Sequence, residues 1–258
     1  MCQQCADVEH RSHLLSKESD AEREARETFI EEFALVLSAF ESDLLEALQD
    51  GRLRLAAREA ARRTVARIFE SHKERLTTAF NTLWEDTASA SRSVTARRYD
   101  LDIDETLADQ VRRELQEYAA DAADATGERI TRDLADALRD AYQAGLSRDE
   151  MADILETDVF PDMRGWEAER AAQTAATGGA GRGSVSAIRD AGAPGKRWLA
   201  GELPRTRLSH HETDGQVVPV GAKFTTGKGN KAWWPGDPRL PPSDFINCRC
   251  AVAPAWDL

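Results

Sequence analysis

Apolar residues recur every three or four positions through the first two-thirds of the chain. Phe29, Phe33, Leu37, Phe40, Leu44 and Leu48 fall on one face of a helix six turns long. Ser19 and Glu22 have the spacing of a capping box at its start, and Asp50-Gly51 ends it. Val65, Ile68, Phe69, Leu76, Phe80, Leu83 and Trp84 predict a second helix over about residues 52–88. The connection is short, so the two helices should pack antiparallel. Residues 89–98 are small and polar and predict a loop. A third long helix follows the cap spacing of Asp102 and Glu105. Its stripe is Leu107, Val111, Leu115, Tyr118, Ala122, Ile130, Leu134, Leu138 and Tyr142, with Gly127 as a candidate kink. Gly145 ends it. Ser147 and Glu150 open a short helix with Met151, Ile154 and Leu155 inward, and another helix is predicted over about 163–176. The stretch TGGAGRGS at 177–184 reads as a linker.

From about residue 185 the period changes. Residues 215–221 and 250–253 read as short strands, and Asp214-Gly215 and Pro235–Pro238 as turns. The expected fold class is mainly α: a long N-terminal unit of antiparallel helices, then a small irregular α+β module. Composition breaks at the same place. Residues 1–160 carry 36 acidic against 21 basic side chains, and residues 161–258 carry 10 against 13. All nine prolines and 13 of the 16 glycines lie in 161–258. The expected domains are an acidic helical domain at 1–160, a helix and Gly-rich linker at 161–195, and a C-terminal module at 196–258.

The basic residues are 28 Arg and 6 Lys, against 46 acids. A Lys-poor, acid-rich chain suits very high salt, so a halophilic host is one expectation. A GC-rich genome that favours Arg, Asp and Ala codons is the other. No apolar run approaches the roughly 20 residues of a membrane span. The opening MCQQCADVEHRSH has no apolar core of a secretory signal, so none is expected.

Four cysteines form two close pairs, Cys2 with Cys5 and Cys248 with Cys250, which suits a reducing compartment or metal ligation rather than a disulfide scaffold. On a strand, Cys248 and Cys250 would share a face. With His210 and either Asp214 or His211 they could hold tetrahedral zinc. The plainer alternative makes both cysteines small buried hydrophobes and His210 an anchor for the Asp214 turn. Cys2, Cys5, His10 and His13 form a second candidate zinc set, and a mixed site of all four cysteines is a third. Lys196, Arg197, Arg205 and Arg207, with Trp233 and Trp234, are candidates for DNA or partner binding, since basic and aromatic side chains together hold phosphates and stack bases. Hydrolytic signatures are missing. His211-Glu212 is not followed by x-x-His, and no phosphate-cradling loop or G-x-S-x-G elbow occurs.

The order of motifs in the tail resembles the C-terminal module of the phage Mu F-like proteins, the head morphogenesis or minor head proteins of tailed viruses. The residues are Lys196 or Arg197 with Trp198, then Arg205, Arg207, His210, Asp214 and Gly215. Val218-Pro219, Phe224, Pro235–Pro238 and Asn247–Cys250 follow. The resemblance covers about a quarter of the chain. It implies a virion component inside the capsid near the portal vertex, assembled in the host cytoplasm and acting in head morphogenesis and genome retention or delivery. The implied partners are the portal protein, the major capsid or scaffold protein and packaged DNA, with no membrane. A metal- or DNA-binding module ejected into the host is the first alternative. A degenerate ADP-ribosyltransferase-like enzyme is the second. Against catalysis, the family's A-R-T-E-like segment stands here as Ala172, Gln173, Thr174 and Ala175, and Leu203-Pro204 replaces the usual Asp before R-x-R. No enzyme activity is expected, and no cofactor beyond candidate zinc.

Overall fold

The computed structural model describes residues 19–201, 204 and 206–258. It is mainly α-helical, with a small β-containing C-terminal region. The helices are α1 (Asp20–Gln49), α2 (Arg58–Arg98), α3 (Asp109–Gln143) and a helical run from Arg148 to Asp190. That run consists of α4 (Arg148–Ile154), a π-turn (Leu155–Val159), α5 (Phe160–Asp162), a second π-turn (Met163–Glu167) and α6 (Ala168–Asp190). The chain divides into two compact units, described in turn. One comprises Thr28–Thr82 and Glu117–Ala171. The other comprises Leu83–Gln116 and Ala172–Leu258, with the start of α1 up to Glu27.

The first unit is an up-down-up-down bundle. Phe29 meets Phe80 and Phe40 meets Phe69, so α1 and α2 run antiparallel as expected. Arg58 pairs with Asp136 and Lys73 with Asp124, which sets α3 antiparallel to α2. Phe40 meets Phe160 and Arg164 pairs with Glu41, which returns the fourth segment against α1. The predicted stripe of α1 is the core: Phe29, Phe33, Leu37, Phe40, Leu44 and Leu48 are all buried. Gly127 faces the Phe69 ring, where a Cβ would stand 2.5 Å from it.

The break expected between 155 and 163 is absent. Pro161 has no N–H to give, and the ladder widens around it instead of ending. The Phe160 N–H reaches back five residues to the Leu155 carbonyl. Ser147 and Glu150 do form a capping box at the start of α4.

In the second unit two expectations are corrected. Residues 89–98 are the last turns of α2, and residues 177–184 lie inside α6 rather than in a linker. Both stretches are small and polar because they pack on each other. A Cβ at Gly183 would stand 2.0 Å from the Ala88 carbonyl oxygen, and one at Gly178 would stand 2.2 Å from the Trp84 ring. Only glycine permits that approach. Hydroxyls then join across the seam: Ser91 to Ser184 at 2.8 Å and Thr95 to Ser184 at 2.9 Å. Arg92, almost wholly buried, bonds Ser186 and the Asp104 carbonyl and pairs with Asp190. Arg182 pairs with Glu114.

After α6 come β1 (Gly195–Leu199), α7 (Leu208–His211), β2 (Val217–Pro219), β3 (Phe224–Thr225), β4 (Lys231–Ala232), α8 (Pro242–Phe245) and β5 (Ala251–Ala255). One antiparallel sheet has the order β2-β1-β5, and β3 pairs with β4. The central strand β1 was not predicted. Its sequence, GKRWL, carries two charges at positions that the fold buries or half-buries, and so shows no alternation.

Two glycines in helical segments give opposite expectations. Gly165 has nothing within 4 Å of its Cβ position. Gly165→Ala should stabilise the chain by about 0.5–1 kcal/mol, through reduced freedom of the unfolded state. Gly183→Ala should destabilise it by about 1–3 kcal/mol, through overpacking. Urea unfolding followed by circular dichroism separates the two, and shifts of the same sign would contradict the seam.

Candidate functional site

The tail residues are organised around Trp198, which is fully buried on β1. Its N–H donates to the Gln216 carbonyl and its carbonyl accepts from the Gly215 N–H. The Asp214-Gly215 turn is therefore stitched to β1, and Asp214 completes it by accepting the Ala200 N–H at 2.9 Å. Gly215 has φ of 73°, the left-handed conformation that glycine takes without strain. The Trp198 ring meets Phe224 edge-on at 5.3 Å and His210 edge-on at 5.5 Å.

His210 sits on the single turn α7, 1% exposed. Its Nδ1 lies 3.7 Å from the Cys248 sulfur and 3.4 Å from the Cys250 sulfur. All three donor atoms lie within 4.8 Å of one another. Its Nε2 is buried with no hydrogen-bond partner among the described residues. Cys248 and Cys250 precede β5 rather than lying on it, yet the expected alternation holds: both are buried and Arg249 between them is exposed. Asn247 has φ of 56° and turns the chain into this stretch. α6 holds the stretch in place. The Thr174 hydroxyl accepts the Asn247 N–H, and the Thr177 hydroxyl donates to the Cys248 carbonyl at 2.6 Å.

The two thiols share their protons unequally. The Cys248 S–H donates to the Cys250 sulfur, which holds the Cys250 pKa below that of an ordinary cysteine. Burial opposes this, and His210 and the Gly201 N–H add to it. Cys248 is pushed well above the ordinary value by that same hydrogen bond, by burial and by the charge on Cys250. The pair is a soft donor set. A cysteine nucleophile needs access to its substrate, and both sulfurs are buried.

Of the predicted zinc set, the structure brings together His210, Cys248 and Cys250. It leaves out Asp214, which is exposed and bound to Ala200, and His211, which is also exposed. Cys2, Cys5, His10 and His13 lie outside the described residues, as does Arg205.

Two of the six expected basic and aromatic contact residues, Lys196 and Trp234, are core. Lys196 is fully buried, donates to the Trp233 carbonyl at 2.8 Å and lies over the Phe224 and Trp233 rings. Trp234 is buried beneath Arg182 and Arg239. Arg207 donates to the Ile246 carbonyl. Arg197 pairs with Asp257, and Trp233 is half-buried with Lys223 over its ring. Lys196 and Trp234 are therefore corrected from contact residues to packing residues. The Trp234 ring, a candidate for stacking bases, lies instead in the interior.

Two buried carboxylates were not foreseen. Asp237, in the Pro235–Pro238 turn, accepts the Trp233 N–H at 2.7 Å, the Arg239 N–H at 3.1 Å and the Arg239 guanidinium. Asp244, fully buried, accepts from Asn230 at 2.7 Å and pairs with Lys228 at 3.0 Å, with Thr226 and Ser209 close by. Burial pushes the Asp244 pKa up, but the bonds from Asn230 and Lys228 and the nearby charges outweigh it, so the group stays ionised. Nothing in the spacing of Asp244 signals this, because its partners are 14 and more residues away.

In comparisons, the chain matches no known protein family, no curated protein and no solved structure.

Burial, the largest cause, and the nearby Arg189 lower the Lys196 pKa from 10.5 to about 8, against the pull of Asp237. An amine depressed in the folded state costs stability wherever it is charged. That cost is complete below about pH 8 and disappears as pH rises to the unfolded value near 10.5. The stability of the natural chain relative to Lys196→Met should therefore rise across this window. A difference that stays flat from pH 7.5 to about 10.5 would show an ordinarily solvated amine.

Proposed function

We propose that this chain is a minor head protein of a tailed virus, associated with the portal, and that it acts by binding rather than catalysis. One observation carries the proposal: the ordered tail motifs that resemble the phage Mu F-like module pack together as one structural set. Trp198 holds the Asp214-Gly215 turn and meets His210 and Phe224. Lys196 reaches Trp233, and Asp237 closes the Pro235–Pro238 turn. Cys248 and Cys250 return to His210. Residues scattered over the sequence and joined in one interior are a signature of a fold, which is what a family resemblance should report.

The bundle unit carries 24 acidic and 14 basic side chains, a net of −10. Such a surface repels DNA, so its contacts are with protein. Trp166 stands 55% exposed with the Arg170 guanidinium 4.8 Å from its ring centroid. Exposed Trp and Arg are the side chains that most often dominate protein interfaces. The portal or scaffold protein is the partner this reading assigns. The interior place of Lys196 and Trp234 weighs protein contact above DNA contact.

The test is mass spectrometry of purified virions, together with co-purification of the portal protein at the salt concentration of the host. The chain should be present in particles at low copy number. Trp166→Ala should weaken portal co-purification at least several-fold without loss of helicity. Finding the chain only in infected-cell cytoplasm, and absent from particles, would overturn the proposal.

A further inference from the structure

We propose that His210, Cys248 and Cys250 bind a zinc ion that locks the C-terminal region of the chain. The inference rests on donor type, geometry and charge, and it stands apart from the viral reading. Two sulfurs and one imidazole nitrogen, all from buried residues, converge within 4.8 Å of one another. Zinc bonds of about 2.3 Å to sulfur and 2.0–2.1 Å to nitrogen, at the tetrahedral angle, place S and N about 3.6 Å apart. The two observed separations, 3.4 and 3.7 Å, lie on either side of that edge. Entry of the metal therefore needs only small movements of these two S–N pairs.

Charge favours the same conclusion. Zn²⁺ with two thiolates and a neutral imidazole has no net charge, so the loaded centre can be buried without an unpaired ion. The protons that leave the thiols on binding go to solvent. A set of two sulfurs and one nitrogen is soft and suits zinc above magnesium or calcium. No other His, Cys, Asp or Glu among the described residues joins the three. Among the described residues the fourth position is left to water.

The location explains what the ion would do. α7 and α8 are single turns of four residues, and β2, β3 and β4 have three, two and two residues. Elements this short hold few hydrogen bonds of their own. The metal would join α7 to the stretch between α8 and β5, segments 38 residues apart in sequence. Both are already oriented: the His210 N–H donates to Arg207, the Cys248 N–H to Phe245, and Thr177 fixes the Cys248 carbonyl.

The test uses the full chain carrying Cys2→Ser and Cys5→Ser, so that metal at the N-terminus is not counted, and a purification without a metal column. Elemental analysis should find one zinc per chain. Cobalt(II) added to the metal-free protein should give the visible bands of a tetrahedral site and a thiolate charge-transfer band. Cys250→Ser should lower zinc affinity at least 100-fold. The cobalt titration of the unaltered centre is decisive, since it does not depend on the folding of that variant. Trace zinc, with no cobalt spectrum on a chain that retains its helicity, overturns the proposal. Chelation should also raise amide exchange in residues 207–213 and 245–252 and leave 28–82 unchanged. Unchanged exchange at 207–213 and 245–252 overturns the structural role.

Discussion

The glycine face of α6 sets the distance at which the rest of its unit can pack. Gly178, Gly179, Gly181 and Gly183 leave no room for a side chain, because Trp84, Thr87, Ala88, Trp234 and the Pro235 carbonyl occupy that space. Where backbones come this close, each contact is made by main-chain atoms and short hydroxyls, and small errors of fit are not absorbed by flexible side chains. The same helix offers Thr174 and Thr177 to the Asn247–Cys250 stretch and Arg182 to Trp234. One short run of small residues thus seats the end of α2 and the turns that carry the tail motifs.

Around that seat the tail is held by buried polar groups as much as by apolar area. Asp237 gathers the donors of its own turn, Asp244 ties three segments together, and Lys196 is bound to a carbonyl under two rings. Removing one partner of such a group leaves an unpaired charge in the interior, which is far more damaging than the loss of an ordinary surface pair. These are specific contacts that fix one arrangement of a region with little regular structure. The His210, Cys248 and Cys250 cluster is the last member of the set and the one whose chemistry goes beyond packing.

Much of the bundle was legible in the sequence because its signal is periodic. The α1 stripe became core residue for residue, and the capping box at Ser147 formed as spaced. The second unit was less legible for a physical reason. Glycine-rich composition means a linker when nothing packs on it and a tight helix seam when something does, and the something here lies about 90 residues earlier in Ala88 and Ser91. Pro161 likewise ends most helices, but here the ladder widens to pass it. At the site, residue type and spacing found His210, Cys248 and Cys250. They misplaced Asp214 and Lys196, since a carboxylate in a turn signal and a lysine beside a tryptophan look the same whether buried or exposed.

The central claim is that the tail and the glycine seam form one cooperative structure, not a module on a tether. Native-state amide exchange of the full chain at increasing urea tests it most directly. Peptides from residues 84–96, 174–188 and 245–255 should lose protection together at one urea concentration. Loss of protection at 245–255 while 84–96 and 174–188 stay protected would contradict the account.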